Sequence, residues 1–172
     1  MIKYLRDKSI YEEVIRKEVP AVKSFLWIGT ADIKDMYVHG AGGMVPFLKM
    51  IDQLIRRKIV VRLIHAKEPG PMFRKDFDQL PSLWDSLEKA ICPRVHFKVI
   101  IMDGRLAYIG SANLTGAGMG AKGPDKRNIE NGILTDEPNL VDDVMSHFDD
   151  VWIGKYCKKC ERRDFCKDRI DQ

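Results

Sequence analysis

The chain has 172 residues, 45% of them hydrophobic and 31% charged, with 29 Lys and Arg against 25 Asp and Glu and a formal net charge of +4. Such a length suits one domain that buries roughly two-thirds of its unfolded surface, and this composition excludes a disordered, fibrous or membrane-embedded chain. No apolar run reaches the ~18 residues of a spanning helix, and the charged start MIKYLRDKSIYEEVIRKEV lacks the pattern of a signal peptide, so a cytoplasmic protein without a transmembrane segment is expected.

Apolar residues Leu5, Ile10, Val14 and Ile15 among charges predict an amphipathic helix over residues 2–19, ended by Pro20. A strand is expected over 24–28, a Gly-rich loop over 39–43, a helix over 45–58 and a β-branched strand over 59–64. Pro69, Gly70, Pro71 and Pro81 mark 67–81 as largely loop, and 82–91 reads as a short helix with Ser82 as its cap. The apolar stretches 95–102 and 105–109 flank Asp103-Gly104, a strong hairpin signal. A further strand is expected over 129–135 and a helix over Pro138–Trp152. Strands alternating with helices imply an α/β protein, a mixed sheet with helices on both faces.

The segment HFKVIIMDGRLAYIGSAN concentrates the chemistry. On a strand, His96 and Lys98 share a face while Val95, Phe97 and Val99 point the other way, into a core. An imidazole beside an ammonium suits attack on a phosphodiester. The ring nitrogen attacks phosphorus, and the cation offsets charge on the non-bridging oxygens. The spacing H-x-K-x4-D-x6-G-S-x-N, carried by His96, Lys98, Asp103, Gly110, Ser111 and Asn113, resembles the active-site motif of the phospholipase D superfamily. The likeness extends to Asn128-Ile-Glu130 and to FLWIGTADIKD upstream, and so over most of residues 22–152.

The resemblance implies a phospholipase D-like catalytic domain over 1–152, followed by a Cys-rich basic tail over 153–172. It also implies a metal-independent mechanism with two histidines, one forming a phosphohistidine and one acting as acid and base. Only one motif is present, and His39, His65 and His147 lack a Lys partner at that spacing. A homodimer is therefore expected, with His96 from both subunits in one cleft. By resemblance the catalytic set is His96, Lys98, Asn113, Ser111, Glu130 and Asp103. Lys98 and Asn113 hold phosphoryl oxygens, Ser111 assists, and Glu130 fixes the His96 tautomer. Asp103 also reads locally as a turn residue before Gly. His65, ending a strand, is a candidate cleft residue, and His147 reads as solvated.

Lys122, Lys126 and Arg127 form a basic cluster after the motif, and Lys155, Lys158, Lys159, Arg162, Arg163, Lys167 and Arg169 form another near the C-terminus. Both suit nucleic-acid phosphates, and each also reads as a solvated face. The four cysteines, Cys92, Cys157, Cys160 and Cys166, suggest one structural metal centre, since clustered thiols in a cytosolic chain bind metal more often than they pair. Zinc fits four thiolates. The pattern of a distant Cys followed by C-x2-C-x5-C resembles the iron–sulfur staple of certain CRISPR-associated and recombination nucleases, which favours a [4Fe–4S] cluster. The expected function is a phosphodiesterase acting on DNA or RNA. A phospholipid hydrolase or phosphatidyl transferase and a non-catalytic nucleic-acid-binding module are the alternatives.

Overall fold

The computed structural model describes residues 1–34, 36–40 and 42–170. Asp35, within the upstream likeness, and Ala41, inside the loop expected over 39–43, lie outside the described residues.

Nine strands are described: β1 (Ile2–Arg6), β2 (Phe25–Thr30), β3 (Tyr37–Gly40), β4 (Gly43–Pro46), β5 (Val60–His65), β6 (Leu87–Ile91), β7 (Val99–Met102), β8 (Leu106–Gly110) and β9 (Asn131–Thr135). Seven build one sheet in the order β1-β9-β8-β7-β2-β5-β6, and β3 and β4 form a separate hairpin. The pairs β2–β5 and β5–β6 are parallel, whereas β2–β7, β7–β8, β8–β9 and β9–β1 are antiparallel. The C-terminal ends of β2, β5, β6 and β8 therefore meet the N-terminal ends of β7 and β9 along one rim.

Two apolar layers sandwich this sheet. On one face Ile100 and Met102 of β7 join Leu26, Ile28 and Leu63 against Val14 and Ile15 of the first helical segment and Leu48, Ile51 and Leu54 of α2 (Phe47–Arg56). On the other face Val99 and Ile101 pack with Val95, Phe97 and Trp27 against Phe148 of α5 (Pro138–Trp152). Phe148 stacks on Trp27 at 5.2 Å and on Trp152 at 6.2 Å. Truncating such a buried ring to Ala costs about 3–5 kcal/mol.

Several expectations change here. Residues 2–6 form β1, not the start of a helix, because the backbone pairs in register with β9. Asp7, with φ 48°, breaks strand from helix. The helical segment α1 begins at Lys8–Ile10, winds as a π-helix through Tyr11–Glu18 and closes in a 3₁₀ turn at Val19–Ala21. Of the loop expected over 39–43, His39, Gly40 and Gly43 pair in the β3–β4 hairpin. The Pro-punctuated stretch holds α3 (Pro71–Asp78), whose proline occupies the first turn, where no intrahelical N–H is needed. The helix expected over 82–91 stops early. It is α4 (Pro81–Ser86), and Leu87–Ile91 leaves it to pair with β5 as the sheet edge. The expected strands over 95–102 and 129–135 shorten to Val99–Met102 and Asn131–Thr135, and that over 105–109 shifts by one residue to Leu106–Gly110. The β7–β8 turn is as read, with Asp103 at φ 56° and Gly104 at φ 62°, and α5 spans the expected residues. Over residues 153–170 the chain runs in turns with one 3₁₀ segment, Arg163–Phe165.

Candidate active site

Residues 95–98 lead into β7 without ladder pairing of their own, yet the Gly110 N–H donates to the Lys98 carbonyl at 3.1 Å and continues the β7–β8 contact past Val99. The alternation read from the sequence holds: Val95, Phe97 and Val99 enter the α5 layer. His96 is exposed, while Lys98 is buried. The Lys98 ammonium donates to the His96 carbonyl at 2.7 Å and lies 3.2 Å from His96 Nδ1. Burial pushes the Lys98 pKa down, and the Glu130 carboxylate partly restores it.

The turn after β8 completes the rim. Gly110 is required by a close approach, because a Cβ there would lie 2.2 Å from the buried Tyr108 hydroxyl and 2.6 Å from the Asn131 carbonyl. Ser111 exchanges backbone contacts with Asn131. Its N–H donates to the Asn131 carbonyl at 2.9 Å, and its Oγ accepts from the Asn131 N–H at 3.1 Å. The Ser111 hydroxyl donates to the Glu130 carboxylate. Asn128 Nδ2 donates to the other Glu130 oxygen at 3.0 Å. Asn113 Oδ1 accepts from the Asp32 N–H at 3.1 Å and lies 3.4 Å from Thr30 Oγ1. With that oxygen engaged, the Nδ2 group is the end of the amide left to bind an anion.

The expectation for Glu130 is corrected. Among the described residues no hydrogen bond joins Glu130 to His96, and its carboxylate is engaged by Ser111 and Asn128. Asp103 is not at the rim. It lies at the opposite end of β7, where its carboxylate accepts the N–H groups of Lys23, Ser24 and Phe25 at 2.7 to 3.2 Å. It therefore ties the start of β2 to the β7–β8 turn, away from His96. His65 is buried at the end of β5, with Nδ1 at 2.7 Å from the Lys67 carbonyl, and burial lowers its pKa. It lines a separate cavity of about 230 Å³ with Glu68, Lys167 and Asp168. It therefore does not join the His96 group.

Lys122 and Lys126 are exposed and Arg127 half-buried on a loop that folds back over the Asn113 turn. The Lys122 N–H donates to Gly116 O at 3.0 Å and the Asn128 N–H to Ala117 O at 3.0 Å. The loop thus leads from basic side chains directly to Glu130. His147 is exposed, as expected, but packs edge-on to Phe97 at 5.2 Å. The four cysteines are half-buried free thiols that line one cavity of about 340 Å³ together with His96, Phe97 and His147. Among the described residues no three His, Cys, Asp or Glu side chains are grouped tightly enough to hold a single metal ion.

Three positioning residues carry no motif in the sequence. Thr30, fully buried, accepts the Leu114 N–H at 3.0 Å and reaches Asn113; Asp32 supplies the N–H that orients the amide. Asp7 pairs with Glu130 in both directions, its N–H on the Glu130 carbonyl at 2.9 Å and its carboxylate on the Glu130 N–H at 3.1 Å. The one usable signal was Thr30, at the C-terminal end of a central parallel strand, where α/β sheets gather ligands.

Comparison with known proteins agrees with this geometry. The family model described as cardiolipin synthase, phospholipase D-like domain, matches residues 23–152. No curated protein matches the chain. Among solved structures, NucT from Helicobacter pylori superposes with a TM-score of 0.64 at 13% identity, covering 88% of this chain and 96% of its own. Nuc from Salmonella typhimurium, a phospholipase D family member, gives 0.61 at 17% identity over 88% and 95%. TrmBL2, an archaeal chromatin protein with a novel mode of DNA binding, gives 0.58 at 11% identity over 88% of this chain and 52% of its own. At these identities the likeness is one of fold. Among the described residues no helix is long and apolar enough to cross a membrane.

Proposed function

The chain belongs to the phospholipase D superfamily, and on that premise we propose that it is a phosphodiesterase that cleaves nucleic acid through a phosphohistidine on His96 at a dimer cleft. The observation that carries this reading is the exposed His96 with the Lys98 ammonium 3.2 Å from its ring, on the rim that Asn113 and the Ser111–Glu130 pair complete.

A phosphoryl group bound at the rim accepts from Lys98 and from Asn113 Nδ2. In doing so it draws the ammonium away from His96 Nδ1. A ring nitrogen of His96 then forms a bond to phosphorus as the bond to the leaving oxygen breaks, and the partner subunit's copy of the same histidine donates a proton to that oxygen. The same histidine next takes a proton from water, whose oxygen displaces His96 from phosphorus. One motif per chain makes the second copy necessary. The Lys122, Lys126 and Arg127 loop, folded over the Asn113 turn, supplies phosphate contacts beside the reacting group.

A second reading has its own support. The matching family model is described as a cardiolipin synthase domain, and Ile129, next to Glu130, is 96% exposed. An apolar side chain at the rim suits a phospholipid. The deciding experiment incubates wild type and His96→Ala with labelled DNA, RNA and phospholipid vesicles in EDTA, with circular dichroism on each sample. His96-dependent cleavage of DNA or RNA in EDTA supports the proposal. Cleavage confined to vesicles supports the lipid reading, and folded protein that requires magnesium refutes the covalent mechanism.

A further inference from the structure

We propose that the cavity lined by Cys92, Cys157, Cys160 and Cys166 holds a [4Fe–4S] cluster, which fastens the C-terminal tail to the segment that carries His96.

The four cysteines are the only cysteines in the sequence, none is paired, and all four face this one cavity from segments far apart in the chain. Cys92 sits between β6 and His96, its N–H donating to the His65 carbonyl at 2.9 Å. Cys157 and Cys160 lie on successive turns after α5, with the Cys160 N–H donating to the Cys157 carbonyl at 3.1 Å. Cys166 returns alongside the end of β6, its Sγ 3.6 Å from the Ile91 carbonyl. His96 and His147 also line this cavity, and its four soft thiolate donors suit zinc or an iron–sulfur cluster.

Size decides between them. Zinc draws its sulfurs to about 2.3 Å from one point, hence about 3.8 Å from one another, and the space between them closes on the ion. Here the four cysteines share with ten other residues the lining of a cavity of about 340 Å³, and among the described residues no three donors stand close enough to share one ion. A cube of four irons and four sulfides is a guest that needs its four thiolates held apart, one at each iron. Charge agrees as well. Four thiolates on such a cube make an anion, and Arg94, Arg163 and Arg169 line the same cavity. Assembly releases four thiol protons and leaves four Fe–S(Cys) bonds; two ferric and two ferrous ions and four sulfides come from outside the chain, so no electron is transferred in forming the cube.

The fold gives the cluster a task. Among the described residues, those after Trp152 contribute no side chain to either apolar layer. The tail is held by a few polar contacts, the Ile91 N–H on the Asp168 carboxylate at 2.7 Å and Lys167 on Glu68 at 2.8 Å among them. Such a segment gains little from burial, and metal ligation is the common substitute. Cys92 stands four residues before His96, so the same anchor steadies the segment that bears His96 and leads into β7.

The test uses the full chain, expressed with added iron and purified without oxygen. Brown protein with about four irons and four acid-labile sulfides per chain is expected. Cys92→Ser and Cys160→Ser should each lose most of that iron. Stripping the wild-type protein with a chelator should speed amide exchange at least tenfold in residues 92–98 and 153–170 and leave β2 unchanged. If the variants aggregate, the wild-type metal count decides alone. Colourless protein with one zinc per chain, or protein that takes up no metal after anaerobic reconstitution, overturns the cluster. Unchanged exchange in both segments after stripping overturns the anchoring.

Discussion

Replacing Asp103 separates the structural part of the motif from its chemistry. Its side chain is 9% exposed and takes three backbone N–H groups, from Lys23, Ser24 and Phe25. A hydrogen bond to a charged acceptor contributes about 1.5–3 kcal/mol net. Lys23 and Ser24 are exposed, so in Asp103→Ala water regains two of the three donors, and only the half-buried Phe25 N–H loses its partner outright. The left-handed backbone at φ 56° adds about 1 kcal/mol of strain for Ala. The sum is about 3 kcal/mol, a fall in Tm of about 6–12 °C for a chain of this size. Asp103→Asn tolerates the left-handed backbone and keeps one acceptor oxygen, so it should cost only about 1–2 kcal/mol.

Catalysis should be untouched in both variants. Asp103 lies five residue steps along the strand from Lys98, about 17 Å, and the aspartate faces the opposite end of the sheet. Thermal melts by circular dichroism measure the first effect. Turnover at 20 °C per folded molecule, against whichever phosphodiester the wild type cleaves, measures the second. A hundredfold loss of kcat in Asp103→Asn with Tm within about 2 °C of wild type would falsify the assignment and return this residue to the chemistry.

Further outcomes follow from the rim. Burial lowers the Lys98 pKa, so the charged form that binds phosphate is lost at lower pH than for an ordinary lysine. The alkaline limb of kcat/KM, which reports the free enzyme, should therefore fall below 10.5, and Lys98→Arg should move it upward; an unmoved limb assigns it to another group. Asn113→Ala should cut kcat by about 10²–10³, the usual loss for one donor to a developing charge, while a change confined to KM would make it a ground-state contact. Lys122→Ala, Lys126→Ala and Arg127→Ala combined should weaken nucleic-acid binding across sequences and flatten its salt dependence by about three charges. An unaltered slope would place the phosphates elsewhere. Mixing equal amounts of wild type and His96→Ala, with subunit exchange, should leave about one quarter of the activity, because only dimers with both histidines work; one half would indicate independent subunits.

How much of this was legible depended on whether a residue's role was local. Pro138–Trp152 was readable because helix period and a starting proline agree along fifteen residues. The alternation over 95–99 was readable because strand geometry places neighbours on opposite faces whether or not a ladder forms. Ile2–Arg6 misled because edge pairing with β9 decides its state and leaves no local mark. Leu87–Ile91 misled similarly, since Ser82 and the apolar spacing promise a helix that β5 converts to a strand after one turn and a half. In the site, His96, Lys98, Ser111 and Asn113 share a short stretch and could be read together. The partners of Glu130 could not, because Asp7 reaches it across 123 residues and Ser111 occupies the oxygen that the triad analogy offers to His96.

The rim divides its work between groups that meet the phosphate and groups that hold them. Asn113 presents one end of its amide because Thr30 and Asp32 occupy the other. Glu130 is fixed by Asp7 along the backbone and by Ser111 and Asn128 at the carboxylate. Lys98 alone leans on a group that itself reacts, 3.2 Å from His96 Nδ1, and it is the one buried cation of the set. Donors aimed before substrate arrives spare the reorganisation that water would need, and that saving enters the transition state more than the ground state. Loosening a holder such as Thr30 should therefore lower kcat with little change in KM, although Thr30 itself never touches the substrate. Thr30→Val keeps the volume and removes only the hydroxyl that Leu114, Asp32 and Asn113 share. A rise in KM at constant kcat in that variant would mean that Asn113 is oriented by substrate rather than by the protein.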